Sequence, residues 1–196
     1  IEAGKNIYKK IVTALKKLGF KYVFDISFGA DLTVMEEALE LVERIKNNEN
    51  LPMFTSCCPS WVKYAEIFYP ELISNLSTCK SPIAMQSTTI KTYFAEKEGI
   101  NLENLVNVVI APCTSKKYEI NRPELNVTNK DTDYILTTRE LAKMIKDNNI
   151  DLLKLDDGKF DSPLGLGSSA GVIFGSSGGV SAVSYTHLTL PTKLEV

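Results

Sequence analysis

The chain has 196 residues, 44% of them hydrophobic, so it can bury a core and is neither disordered nor collagen-like. Its 22 Lys and Arg against 24 Asp and Glu leave a formal charge of −2, which gives no electrostatic reason to expect nucleic acid as a partner. No run reaches the ~18 apolar residues of a membrane helix and no secretory signal opens the chain at Ile1, so the sequence reads as cytoplasmic, with no membrane span.

Ile7, Ile11, Ala14, Leu15 and Leu18 recur at helical spacing and predict an amphipathic helix from about Lys5 to Leu18, stopped by Gly19. Tyr22-Val23-Phe24 has the composition of a buried strand. Thr33 with Glu36 three residues on has the spacing of a capping box and predicts a helix over 33–47. A second strand, Leu51 to Thr55, runs into Ser56-Cys57-Cys58-Pro59-Ser60-Trp61. Ser81 before Pro82 predicts another helix to about Lys97. A third strand, Val106 to Ile110, feeds Ala111-Pro112-Cys113-Thr114-Ser115-Lys116-Lys117-Tyr118-Glu119. Tyr134-Ile135-Leu136 is a fourth, and Thr137 with Glu140 repeats the capping-box spacing before a helix to about Asp147. From Asp156 to Gly179 the texture is rich in Gly, Ser and Asp, without the strand and spacing of a phosphate-binding loop. Alternating strands and helices predict an α/β fold with mostly parallel sheets flanked by helices.

The four cysteines, Cys57, Cys58, Cys79 and Cys113, are too few for a disulfide scaffold of this length. Cys57, Cys58 and Cys113 sit in Pro-containing loops at predicted strand ends, where an α/β layout places its chemistry. Zinc sites favour paired Cys-x-x-Cys spacing, which is absent, whereas each loop could donate a thiolate to an iron–sulfur cluster, which normally takes four. On spacing alone, metal-binding and inert buried cysteines stay open, as does one ordinary four-iron cluster on all four cysteines.

The stretch from Thr55 to Trp61, and Pro112 to Glu119 with Arg122-Pro123 behind it, closely resemble the first two signature motifs of the iron-only (FeFe) hydrogenases. The likeness extends to Phe28-Gly29-Ala30-Asp31-Leu32-Thr33, to Thr137 through Ile145, and to Gly171-Val172-Ile173-Phe174-Gly175. The resemblance implies an oxidoreductase that reversibly reduces protons to dihydrogen at an H-cluster. That cofactor is a 4Fe-4S cubane joined to a diiron site carrying carbonyl, cyanide and a bridging dithiolate. It implies two sheet lobes with the cluster between them. Cys58 and Cys113 then match two cubane ligands, and Cys57 the thiol that passes protons to the bridging amine. Lys116 matches the lysine that hydrogen-bonds a cyanide, Glu119 its carboxylate partner, and Pro82 the segment whose backbone lines the diiron pocket.

A thiol with a pKa of about 8.5 can give up and recover a proton near neutral pH, as such a role requires. Glu37, Glu40 and Arg44 share one helix face by their i, i+3, i+7 spacing, which alone reads as a solvated face with an ion pair. By resemblance they join Cys57 and Ser77 in a proton relay, ordered Cys57, Glu37, Ser77, Glu40, Arg44. The bland readings are kept for Trp61, a packing residue, and for Cys79, a small buried one.

The family's third cysteine motif has no counterpart, since no cysteine follows Cys113. Residues 1–180 therefore read as a partial H-cluster domain of a ferredoxin-type hydrogenase from an anaerobic bacterium, inactive alone with two thiolates missing. The ending at 181–196, which holds the sole histidine, His187, reads as a non-native adaptor-like tail. Ala111 stands where many catalytic members carry Met, which favours as the alternative a sensory or iron–sulfur assembly protein on the same fold. Implied partners are ferredoxin or another electron-transfer subunit, and the proteins that mature the diiron site.

Overall fold

A computed structural model of the chain describes residues 6–176, 178 and 179. The predicted helix start at Lys5, and the ending at 181–196 with His187, lie outside the described residues.

Helix α1, Tyr8–Lys17, turns Val12, Ala14 and Leu15 inward and closes at Gly19, whose φ of 96° suits glycine. These residues form one cluster with Val23, Leu141, Ile145 and Leu155. Tyr22-Val23-Phe24 is extended but is not a strand, which corrects the expectation. The Val23 N–H donates to Asp161 Oδ2 at 2.6 Å and its carbonyl accepts the Asp161 N–H at 2.9 Å, so both are committed to one residue rather than to a ladder. Tyr22 and Phe24 instead set their rings edge-on to Phe94, each 4.9 Å away.

Helix α2 spans Ser27–Asn47, six residues earlier in its start than the Thr33 spacing predicts. Thr33 is an interior residue, 1% exposed, and its hydroxyl donates back to the Gly29 carbonyl at 3.1 Å. The helix ends on Asn48 in the left-handed region. Helix α3, Pro59–Phe68, starts directly after the paired cysteines with Pro59 in its first turn. Helix α4, Pro82–Thr89, begins as predicted, with the Ser81 hydroxyl accepting the Ala84 N–H. The predicted single helix to Lys97 is interrupted by a π turn, Ile90–Phe94, before the short α5, Ala95–Lys97. A Cβ on Gly29 would lie 2.3 Å from the Pro82 carbonyl oxygen, so glycine is what lets α4 lie against α2.

Strand β1, Val108–Ala111, pairs in parallel with β2, Tyr134–Thr137, with Val108 opposite Tyr134 and Ala111 opposite Thr137. Helix α6, Lys116–Glu119, lies between them in sequence. Leu51 to Thr55 yields one parallel bridge, Phe54 with Leu76. The four predicted strands thus reduce, among the described residues, to a two-stranded parallel sheet and a bridge. The second capping box holds: at the start of α7, Thr138–Asp147, the Thr137 hydroxyl accepts the Glu140 N–H, and Glu140 accepts the Thr137 N–H at 2.7 Å. Helix α8, Ser169–Phe174, returns to the start of α2, where Asp31 Oδ1 accepts the Ser168 hydroxyl at 2.7 Å.

Candidate metal and proton-transfer site

Two chain reversals present the cysteines. After the Phe54 bridge the chain passes through Cys57 and Cys58 into α3, and after β1 it passes through Cys113 into α6. The Ser60 and Ser115 hydroxyls, each two residues beyond a cysteine, meet at 2.5 Å and tie the loops together. A second tie runs inside it: the Lys116 ammonium donates to the Cys57 carbonyl at 2.8 Å. Lys116 also donates to Glu119 Oε1 at 3.0 Å and lies 2.8 Å from Oε2, off the line a hydrogen bond needs. Glu119 is buried and Lys116 half-buried, and Glu119 Oε2 has no hydrogen-bond partner among the described residues. Cys58 and Cys113 are exposed free thiols, whereas Cys57 is half-buried. Burial and the Glu37 charge push the Cys57 thiol up, against the opposing pull of Lys116.

Two exposed thiols on loops tied together beside a half-buried ammonium suit two corners of a cluster that takes four thiolates. Among the described residues no group of three or more Cys, His, Asp or Glu converges as a metal site would need. Pro82, at the first turn of α4, is held with its carbonyl against Gly29 of α2.

The predicted face of α2 is not solvated: Glu37 is 1% exposed and Arg44 9%. Burial, with Glu40's charge adding to it, raises the Glu37 carboxyl to about 7, even though the Ser77 hydroxyl and the Ser56 backbone favour its charged form. One of its oxygens, Oε2, has no hydrogen-bond partner among the described residues. Glu40 is the reverse case. Burial pushes it up, but the Ser77 hydroxyl (2.7 Å to Oε2), the Thr78 N–H and the Arg44 guanidinium (2.6 Å to Oε1) outweigh this and hold it below the usual carboxylate range. Arg44 in turn donates to the carbonyls of Asn50, Ser74, Asn75 and Leu76, so it binds the end of the 3₁₀ turn Pro70–Asn75 to α2.

The structure therefore gathers Glu37, Ser77, Glu40 and Arg44 into one cluster, and Lys116, Glu119 and Cys57 into another, with Glu37 charge acting on Cys57. Trp61 packs edge-on to Phe54, as a packing residue should. Cys79 departs from its bland reading: its sulfur lies 3.6 Å from Glu40 Oε2. No sequence spacing signals a contact between residues 39 positions apart.

The chain matches the family model for the iron only hydrogenase large subunit, C-terminal domain, over residues 1–194. It is 53% identical over 178 residues to iron hydrogenase 1 of Clostridium pasteurianum, covering 90% of this chain and 31% of that protein. It is 51% identical over 174 residues to the periplasmic Fe hydrogenase large subunit of Nitratidesulfovibrio vulgaris, covering 87% of this chain and 41% of that protein. Apo FeFe-hydrogenase HydA1 from Chlamydomonas reinhardtii superposes with a TM-score of 0.81 at 44% identity, over 91% of this chain and 47% of that one. The chain spans less than half the length of each of these three proteins. Among the described residues no helix is long and apolar enough to cross a membrane. Two cysteine loops tied at their serines, a matching sequence and a matching fold agree: the chain belongs to the family formed by the C-terminal domains of iron-only hydrogenase large subunits.

Proposed function

We propose that this chain is part of the catalytic domain of a hydrogenase that interconverts protons and dihydrogen. Cys58 and Cys113 would hold the cubane of an H-cluster, and Lys116, braced by Glu119 and the Cys57 carbonyl, would donate to a cyanide ligand. The backbone at Pro82 would line the same pocket. When bound, the cluster would supply the electrons and the metal centre for the interconversion of protons and dihydrogen. Two further thiolates must come from the complete enzyme, so the chain alone is expected to be inactive. Electrons would arrive from ferredoxin or a comparable protein, and the diiron unit from maturation proteins.

The protein's own task is to move protons, and the observation that carries this reading is the linked set Glu37, Ser77, Glu40 and Arg44 beside Cys57. The Cys57 thiol holds a proton at the buried end. In an outward hop, protonated Glu37 gives its proton to Ser77 Oγ while the Ser77 hydroxyl passes its own to Glu40 Oε2; inward transfer reverses both moves. Because Glu37 titrates near 7 and Glu40 well below that, the proton rests on Glu37. An assembly protein with no protons to move needs neither Cys57 nor this path.

The test is to mature the complete gene product with a diiron assembly system and follow dihydrogen evolution, with infrared carbonyl and cyanide bands reporting loading. Turnover with those bands is expected; a fully loaded but inert protein overturns the reading.

A further inference from the structure

Cys79 plays no part in the relay described above, and its reading as filler is difficult to reconcile with its surroundings. Its backbone is fixed on both sides: the N–H donates to Ser77 Oγ at 3.1 Å, and the carbonyl accepts the Ser56 hydroxyl at 2.8 Å. The sulfur then lies 3.6 Å from Glu40 Oε2, within reach of an S–H donor, on the same oxygen that takes the Ser77 hydroxyl. A second observation concerns the neighbouring carboxylate, since Glu37 is 1% exposed with Oε2 unpartnered among the described residues. Glu37 acts on Ser77, the residue that Cys79 holds.

We propose that Cys79 is a positioning residue of the relay. Its thiol keeps Glu40 Oε2 turned toward Ser77. Its N–H occupies one lone pair of Ser77 Oγ, so that the other is left for the proton arriving from Glu37. Burial, with the Glu40 and Glu37 charges adding to it, pushes the thiol up to about 12 against the Ser77 hydrogen bond, so it stays a donor throughout the working range. The charged and titratable groups facing Glu40 are Arg44 and Glu37 on its own helix and Cys79 on the opposing stretch. The proposal rests on the relay reading given above.

The experiment compares Cys79→Ala and Cys79→Ser in the complete matured enzyme. Cys79→Ala is expected to slow dihydrogen evolution by about three- to tenfold and to displace the acid limb of the pH profile upward, because Glu40 with one donor fewer binds its proton more tightly. Cys79→Ser should restore both. A readout without catalysis uses the cofactor-free protein: the infrared S–H stretch that disappears in Cys79→Ala should shift in Glu40→Gln. Unchanged turnover in Cys79→Ala, failure of Cys79→Ser to restore it, or an S–H band indifferent to Glu40→Gln each overturns the proposal. Glu37→Gln distinguishes the two levels. If it abolishes turnover while Cys79→Ala does nothing, only the role of Cys79 fails; if Glu37→Gln also does nothing, the relay itself fails.

Discussion

Glu37 and Glu40 sit one turn apart on the same helix, and their surroundings treat them oppositely. Glu40 is met by Arg44, Ser77, Thr78 and Cys79, and stays charged. Glu37 is more deeply buried, keeps an oxygen without a donor and holds its proton to about pH 7. Spacing on a helix brings carboxylates together; the supply of hydrogen-bond donors decides which one is ionised. The difference would give the proposed path a direction, with a neutral carrier inside and a charged acceptor outside.

The inner end is broken most severely by Cys57→Ala, which should cut turnover of the matured enzyme by on the order of 10²–10⁴ while iron loading and the carbonyl and cyanide bands remain. At the outer end Arg44→Leu leaves a half-buried carboxylate unpaired and empties a cage of carbonyls, so urea unfolding should register a loss of about 2–4 kcal/mol.

Glu37→Gln sharpens the contrast through its pH dependence. A carboxyl raised from 4.5 to about 7 on folding costs stability as pH rises through that interval, because the unfolded chain releases the proton first. The variant should therefore match the parent near pH 4 and exceed it above pH 7, by about 1–2 kcal/mol once screening is allowed for. Equal stability at both pH values would show that Glu37 titrates normally. Ser60→Ala, outside both ends, is expected to cost under about 1 kcal/mol by urea unfolding, since its partner Ser115 can turn to water.

Local sequence patterns anticipated the structure only where one interaction dominates. Thr137 and Glu140 form the capping box their spacing suggests because β2 delivers Thr137 in an extended conformation. Thr33 and Glu36 have the same spacing, but the chain has been helical since Ser27, and the Thr33 hydroxyl is spent on the preceding turn. Tyr22-Val23-Phe24 reads as a strand because burial and β structure select the same residues; its partners, Phe94 and Asp161, are far along the chain. The cysteine motifs were legible through their resemblance. What no spacing predicts is the convergence of Glu40 with Ser77 and Cys79, which depends on where the 3₁₀ turn sets the chain down against α2.

The π turn at Ile90–Phe94 has a consequence for how this segment tolerates change. A π turn holds one residue more than the α-helix it interrupts, and one residue is worth about 100° of rotation. The earlier part of the helix is phased to meet α2, and the later part to present Phe94 to Tyr22 and Phe24. Exchanging a side chain here alters one contact. Deleting a single residue would swing everything beyond it by more than a quarter turn, so this stretch should accept many substitutions and almost no change of length.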